Sequence, residues 1–427
     1  MNIMLQMAEK VKQLFDEEWL IQIAHETGFI KRKRKIKAKM FLEKLLINQM
    51  QMPNMSLQEL AVEVVEEGYG LKKQSLHQRF NYSGKEFLRK ILEKGLETSF
   101  TEVNCLKGME FIRAIDVIDS TQIPLLDCFE GLHPKTQGKG AAIKVQACLE
   151  VMKNKVKSLE VRPAREPDQG YEGVLDQIEE GTLQIGDLGY FNIDKFKKIE
   201  ETGAFFLSRH FKATHLYEEE SEELIPLRER LKASQELKLE IKVKLGKQEK
   251  FPCRLIAVRL SQEAYERRMR NFDRQQKRRK VKVGEKKDVL NEWNIFVTNL
   301  PGLIGEDQIC HLYFLRWQVE LFFKALKSWF DLRSLNQNDV NRAAIFLYLS
   351  LISMMLLNLL MMPTLEKELS LYKAAKLWKR KIGEFFEFFR EDAEKAISWL
   401  QEKLYQVALK DSRQNRLSSK AKVLAYA

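Results

Sequence analysis

Residues 182–210 read TLQIGDLGYFNIDKFKKIEETGAFFLSRH, and this stretch decides the architecture. TLQIGDLGYF is a short apolar strand broken by an acid, Asp187. NIDKFKKIEETG has helical spacing and a glycine stop. AFFLSRH is a second apolar run, closing on Arg209 and His210. Strand, helix and strand in close succession predict a sheet flanked by helices. Upstream, FIRAIDVID (111–119) is another apolar run ending in acid, at Asp119. AAIKVQACLEV (141–151) and SLEVRPA (158–164) read as the next two strands, and GYEGVLDQIEEG (170–181) as a helix with a glycine stop. The fold class expected is an α/β core, a mixed sheet with helices.

Downstream the character changes. LKLEIKVKL (237–245) alternates apolar with Lys or Glu, the pattern of a half-exposed strand, and FPCRLIAVRL (251–260) completes a hairpin with it. YERRMRNFDRQQKRRKVKVGEKK is a basic helix running into a flexible loop. Residues 211–294 therefore read as a β-rich insertion with a positive surface. NEWNIFVTNLP (291–301) returns to an apolar strand, and one long helix follows. The N-terminal residues are helical. Helical spacing recurs at 37–46 and 57–65, and Ser56 with Glu59 forms a capping box. A turn, EEGYG, then leads to LKKQSLHQRFN, so that 56–81 has a helix-turn-helix outline. The divisions expected are a helical DNA-binding domain (1–105), a core in two parts (106–210 and 295–362) split by the insertion (211–294), and a helical C-terminal region (363–427).

Lys and Arg total 72 against 60 Asp and Glu, a formal charge of +12. That surplus suits a polyanionic partner, and KRKRKIKAK (31–39) suits phosphate. The five cysteines form no CxxC pair, which argues against a disulfide framework or zinc cluster and fits a reducing cytosol. AAIFLYLSLISMMLLNLLMM (343–362) is long enough to span a bilayer. It is isolated and carries Ser350, Ser353 and Asn358, so a buried core helix is expected and no membrane partner.

The chemistry centres on YFLRWQVELFFKALKSWF (313–330). With Tyr313 at zero on a helical wheel, Arg316, Glu320 and Lys327 fall at about 300°, 340° and 320°, one narrow stripe on an apolar body. An ion-pair seam between Arg316 and Glu320 would also give that stripe. Asp119 and Asp187 lie at strand ends, where buried acids need a partner or a metal. Asp116 is a rival to Asp119, and either aspartate could serve as a turn or cap residue. Three carboxylates can hold two hard divalent cations about 4 Å apart, one for the attacking and one for the leaving oxygen.

Together these residues resemble the insertion-sequence transposases of the DDE superfamily, in the branch with a Tyr-x2-Arg-x3-Glu-x6-Lys signature. Tyr313, Arg316, Glu320 and Lys327 match it, and RWQVELFFKALK is close to the family's wording. IDST around Asp119 and GDLGYF around Asp187 resemble its first two acidic motifs, and Arg209 sits where the family often has a strand ending in Arg. The resemblance implies a ribonuclease-H-like core interrupted by a β-strand insertion. It implies that Asp119, Asp187 and Glu320 are catalytic and bind two Mg²⁺ ions, with Mn²⁺ as a substitute. Tyr313, Arg316, Lys327 and Arg209 would contact DNA. The expected partner is double-stranded DNA, both terminal inverted repeats and target, handled by a homodimer during cut-and-paste transposition in the cytoplasm, at the nucleoid. The rival readings are a catalytically inactive DNA-binding regulator and another nuclease of the same fold.

Overall fold

The computed structural model describes residues 3–30, 38–52, 57–66, 73–97, 109–153, 155–279, 288–330, 339–361 and 369–409. The chain begins with six helices: α1 (Ile3–Leu14), α2 (Glu17–Glu26), α3 (Ala38–Gln51), α4 (Leu57–Glu66), α5 (Lys73–His77) and α6 (Tyr82–Glu97). Next come β1 (Ala114–Leu125), β2 (Ala141–Glu150), β3 (Lys155–Pro163), β4 (Thr182–Ile185), α7 (Ile193–Glu201) and β5 (Phe205–Arg209). They are followed by β6 (Leu216–Glu218), α8 (Leu227–Ala233), β7 (Lys238–Leu245), β8 (Phe251–Arg259), α9 (Gln262–Arg279) and β9 (Trp293–Thr298). The chain then turns helical in α10 (Glu306–Phe314), α11 (Trp317–Trp329), α12 (Val340–Met361), α13 (Leu371–Glu391) and α14 (Ala393–Val407).

Two compact units divide the chain, and they cut across the five sequence divisions. The first takes residues 1–103, 119–166 and 317–416, and the second takes 104–118, 167–316 and 417–427. β1 passes from the second to the first between Ile118 and Asp119.

The strands of the second unit lie in the order β1-β4-β5-β9-β8-β7-β6. β4 is parallel to both neighbours: Val117 pairs with Ile185, and Ile185 with Leu207. All four residues of β4 are buried, as expected of a parallel strand covered on both faces. α7 explains itself locally. Asn192 caps it by accepting the Lys195 N–H at 3.1 Å, and Gly203, at φ 71°, takes the left-handed turn that ends it. The hairpin expected at 237–260 forms as β7 and β8. β8 then hydrogen-bonds to β9 from Arg254–Thr298 to Arg259–Trp293, so the inserted strands extend the same sheet. Phe196, Phe206, Val243, Leu255, Trp293 and Val297 share the apolar core beneath it. The positive surface expected there is largely matched by acids, with Lys238 on Asp307 at 2.6 Å, Lys244 on Glu222 at 2.5 Å and Arg259 on Glu292 at 3.1 Å.

The first unit is mostly helical. α12 packs on α6, α3 and α13, and 89% of its most apolar 18-residue window is buried. Its serines find partners inside: Ser350 Oγ donates to the Phe330 carbonyl at 2.8 Å, and Trp378 Nε1 donates to Ser353 Oγ at 2.8 Å. The helix meets the length and composition of a span, yet it is the core of this bundle. α4 and the five-residue α5 pack together. The turn between them, Ser56 and residues 31–37 lie outside the described residues.

Three expectations need correction. GYEGVLDQIEEG is not an α-helix; it holds one 3₁₀ turn, Leu175–Gln177, and a second, Asp168–Gly170, ends at its first residue. Gly170 and Gly173, both within its first four residues, disfavour an α-helix there. Asp119 does not end its strand, because β1 continues to Leu125. The long helix is two helices. Leu315 N–H bonds to Leu312 O at 3.0 Å and Arg316 N–H to Tyr313 O at 3.1 Å, a tightened 3₁₀ turn that breaks the uniform 100° wheel.

Candidate active site

Three parallel strand segments set the geometry. Val117, Ile185 and Leu207 are partners across β1, β4 and β5. Asp119, Asp187 and Arg209 each follow by two residues. Side chains alternate along extended chain, so each has the facing of its predecessor in that row. Asp187 lies just beyond β4 and is itself extended, at φ −82° and ψ 179°. Asp116 is three residues from Asp119 on the same strand and so points to the opposite face. It pairs in register with Gln184 and is fully buried.

Local hydrogen bonds orient both candidate acids. Asp187 Oδ1 accepts the Gly189 N–H at 2.8 Å and caps the 3₁₀ turn Leu188–Tyr190. Asp119 Oδ1 accepts the Ser120 N–H at 2.8 Å. The cap reading is therefore true of Asp187, while Asp119 sits within β1 and caps no helix. Gly186, just before Asp187, allows close packing: a Cβ there would meet Tyr190 Cβ at 3.2 Å and Ile118 Cγ1 at 3.3 Å.

Tyr313, on α10, stands on the Phe296 ring at 5.0 Å between centroids. The guanidinium carbons of Arg209 and Arg316 lie 5.9 Å and 6.0 Å from the centre of its ring, within cation–π range. Burial pushes the Tyr313 hydroxyl above its usual range. Arg209 and Arg316 oppose that rise, and Asp187 adds to it. The second unit thus gathers Asp187, Arg209, Tyr313 and Arg316. Asp119, Glu320 and Lys327 belong to the first unit. Within α11, Glu320 and Lys327 are seven residues apart, on one half-buried stripe that borders the buried face of Val319, Phe322, Phe323 and Leu326. Arg316 precedes that helix, in the turn between α10 and α11.

Residues 113–356, more than half of the chain, match the family described as Transposase DDE domain. The chain belongs to the DDE transposase family. A transposase for insertion sequence element IS1151 from Clostridium perfringens is 27% identical over 403 residues, covering 86% of this chain and 84% of that protein. One for IS231F from Bacillus thuringiensis subsp. israelensis is 24% identical over 398 residues, covering 86% and 83%. A piggyBac transposase synaptic complex with hairpin DNA overlaps at a TM-score of 0.46 and 11% identity, over 96% of this chain and 87% of that one. This is an insertion-sequence DNA transposase, an enzyme that cleaves DNA and transfers strands.

Enzymes of this family use divalent metal ions. Among the described residues, no three His, Cys, Asp or Glu converge on one point as a ready ion-binding group. The chemistry of the donor set still fits, since Asp119, Asp187 and Glu320 offer only hard carboxylate oxygens. Sequence reading missed what braces the transposase around Asp187. Gln169 Nε2 donates to the Phe191 carbonyl at 3.0 Å, and the buried Lys195 ammonium donates to the Tyr171 carbonyl. Lys195 was detectable as a lysine on the apolar face of α7, beside Phe196 and Ile199. Gln169 had no signal.

Proposed function

We propose that this transposase works by cut-and-paste, with Asp119, Asp187 and Glu320 as its catalytic carboxylates. The observation that carries the reading lies in the second unit: Asp187 and Arg209 each follow by two residues the paired Ile185–Leu207, and Tyr313 and Arg316 stand with them. The three acids would hold two Mg²⁺ ions. When bound, such ions supply Lewis acidity to the attacking and leaving oxygens. Arg209, Arg316 and Lys327 would grip the phosphates flanking the scissile bond, balancing charge that builds on the phosphoryl oxygens. Tyr313, kept protonated to high pH, offers a neutral donor and a ring face that orients two guanidinium groups.

The match at Tyr313, Arg316, Glu320 and Lys327 supports the Tyr-Arg-Glu-Lys branch of the family. The mixed sheet with both aspartates and a glutamate on a later helix supports a ribonuclease-H-like core. The N-terminal helices and the inserted strands would read the terminal inverted repeats. A homodimer would synapse two element ends before joining them to target DNA at the nucleoid.

The test is cleavage of a duplex that carries the inverted repeat flanking the gene, with wild type, Asp119→Asn, Asp187→Asn and Glu320→Gln. Each variant is expected to bind that duplex and to lose cleavage by several orders of magnitude. Asp187→Cys is expected to regain some cleavage in Mn²⁺ but not in Mg²⁺, because thiolate suits the softer ion. Cleavage retained by any of the three neutral variants would remove that residue from the site.

A further inference from the structure

Two guanidinium groups in the second unit lie side by side with no carboxylate on either. Arg209 donates from Nη2 to Asn294 Oδ1 at 3.3 Å. Arg268, on α9 of the inserted segment, donates from its own Nη2 to the same Asn294 oxygen. Its Nη1 donates to the Asn291 and Trp293 carbonyls at 3.0 and 2.9 Å. Both arginines are half-buried, and among the described residues neither makes an ion pair with Asp or Glu. Burial and the neighbouring Arg209 charge push Arg268 down to about 10.

Elementary electrostatics makes this arrangement unusual. Like charges at close range repel, and the hydrogen bonds that the two guanidinium groups make go to neutral oxygens. An anion between or in front of the two would relieve the repulsion. The bonds also differ in kind. Arg268 spends its hydrogen bonds on fixed acceptors, two carbonyls and one amide oxygen. Arg209 spends one bond on Asn294 and rests on the Tyr313 ring, leaving Nε and Nη1 without a protein acceptor among the described residues. Arg268 is therefore the anchored member of the pair and Arg209 the presented one.

We propose that Arg268 is a positioning residue, which fixes Asn294 and through it aims Arg209 at a DNA phosphate. The inference rests on the reading of Arg209 as a DNA contact. It gives the inserted segment a role at the reaction centre through one side chain.

The experiment uses the full chain and a duplex oligonucleotide copying the inverted repeat that flanks the gene. Affinity is measured across a salt series for wild type, Arg209→Gln, Arg268→Gln, Asn294→Ala and the Arg209→Gln/Arg268→Gln double variant. Each single variant is expected to bind about tenfold more weakly, and the double no more weakly than Arg209→Gln alone, because residues acting as one unit are not additive. The slope of log affinity against log salt should fall by about one phosphate contact, roughly 0.9, in all three single variants and in the double. Arg268→Lys keeps the charge and guards against a folding failure. With an unchanged melting curve it should still lose affinity, since one ammonium cannot hold three acceptors in a fixed plane. Additive losses, with the slope falling by two contacts in the double variant, would overturn the proposal by making Arg268 a DNA contact itself. Wild-type affinity in Arg268→Gln would overturn it by leaving Arg268 a packing residue. Wild-type affinity in Arg209→Gln would remove the reading of Arg209 and the inference with it.

Discussion

Asp116 and Asp119 stand three residues apart, and the strand's alternation sends them to opposite faces. The structure therefore makes them separable by experiment. Asp116→Asn should leave DNA cleavage within about twofold of wild type while lowering the melting temperature, because a fully buried acid is exchanged for an amide with different hydrogen-bonding needs. Loss of cleavage in a stable Asp116→Asn protein would instead make Asp116 the ligand. His210 makes a second residue-scale prediction. It is 6% exposed, its Nδ1 has no partner, and burial pushes it from 6.5 to about 4. The unfolded chain then takes up the proton first. Stability is complete above pH 6.5 and falls as the pH drops from 6.5 towards 4, by a total on the order of 3 kcal/mol. Melting temperature against pH, compared for wild type and His210→Gln, should differ in slope only in that window; parallel curves would remove His210 as the cause. At this scale the sequence was legible where charge met an apolar run, as at Asp187 and Arg209. It was silent where the partner was a neutral amide, as at Asn294.

Elements were legible where spacing alone determines them. The 182–210 stretch folds as read because a four-residue apolar run, an asparagine cap and a left-handed glycine each act locally. The break between α10 and α11 was not legible, because Leu315 and Arg316 keep helical spacing and only a tightened turn separates the two wheels. What holds α10 in place was hidden for another reason. Arg254 of β8 donates to both Glu240 oxygens at 2.7 and 2.8 Å, and to the carbonyls of Leu300, Pro301 and Ile304 at 2.8–2.9 Å. Those acceptors lie far from it in sequence, on β7 and on the loop that enters α10. All five guanidinium N–H groups are used, and Lys offers three in a different geometry. Arg254→Lys is expected to destabilise by about 2–4 kcal/mol. Amide exchange at residues 299–305 should speed up with it. A lower melting temperature with unchanged exchange at that loop would sink the idea that Arg254 pins it.

For the whole molecule, the apolar α12 is the centre of a helical bundle. Ser353→Ala removes the acceptor of the buried Trp378 N–H and should cost about 1–3 kcal/mol. A helix facing lipid would tolerate the change, so an unaltered melting curve would count against core burial. The division into two units was not legible, since each unit is assembled from segments far apart in the chain, and no local signal marks the crossings at Ile118–Asp119 or Arg316–Trp317. One consequence lies in how the inserted strands are stacked. They grow outward from β9, and the last of them, β6, has three residues. A short rim exposes few unpaired N–H and C=O groups, so trimming or lengthening it bares little new edge. Excision closer in would bare β9, whose six residues are buried but for Asn294, and turn it into a template for self-association. Loss of the outer margin is therefore cheap for the sheet, and loss of the root is costly.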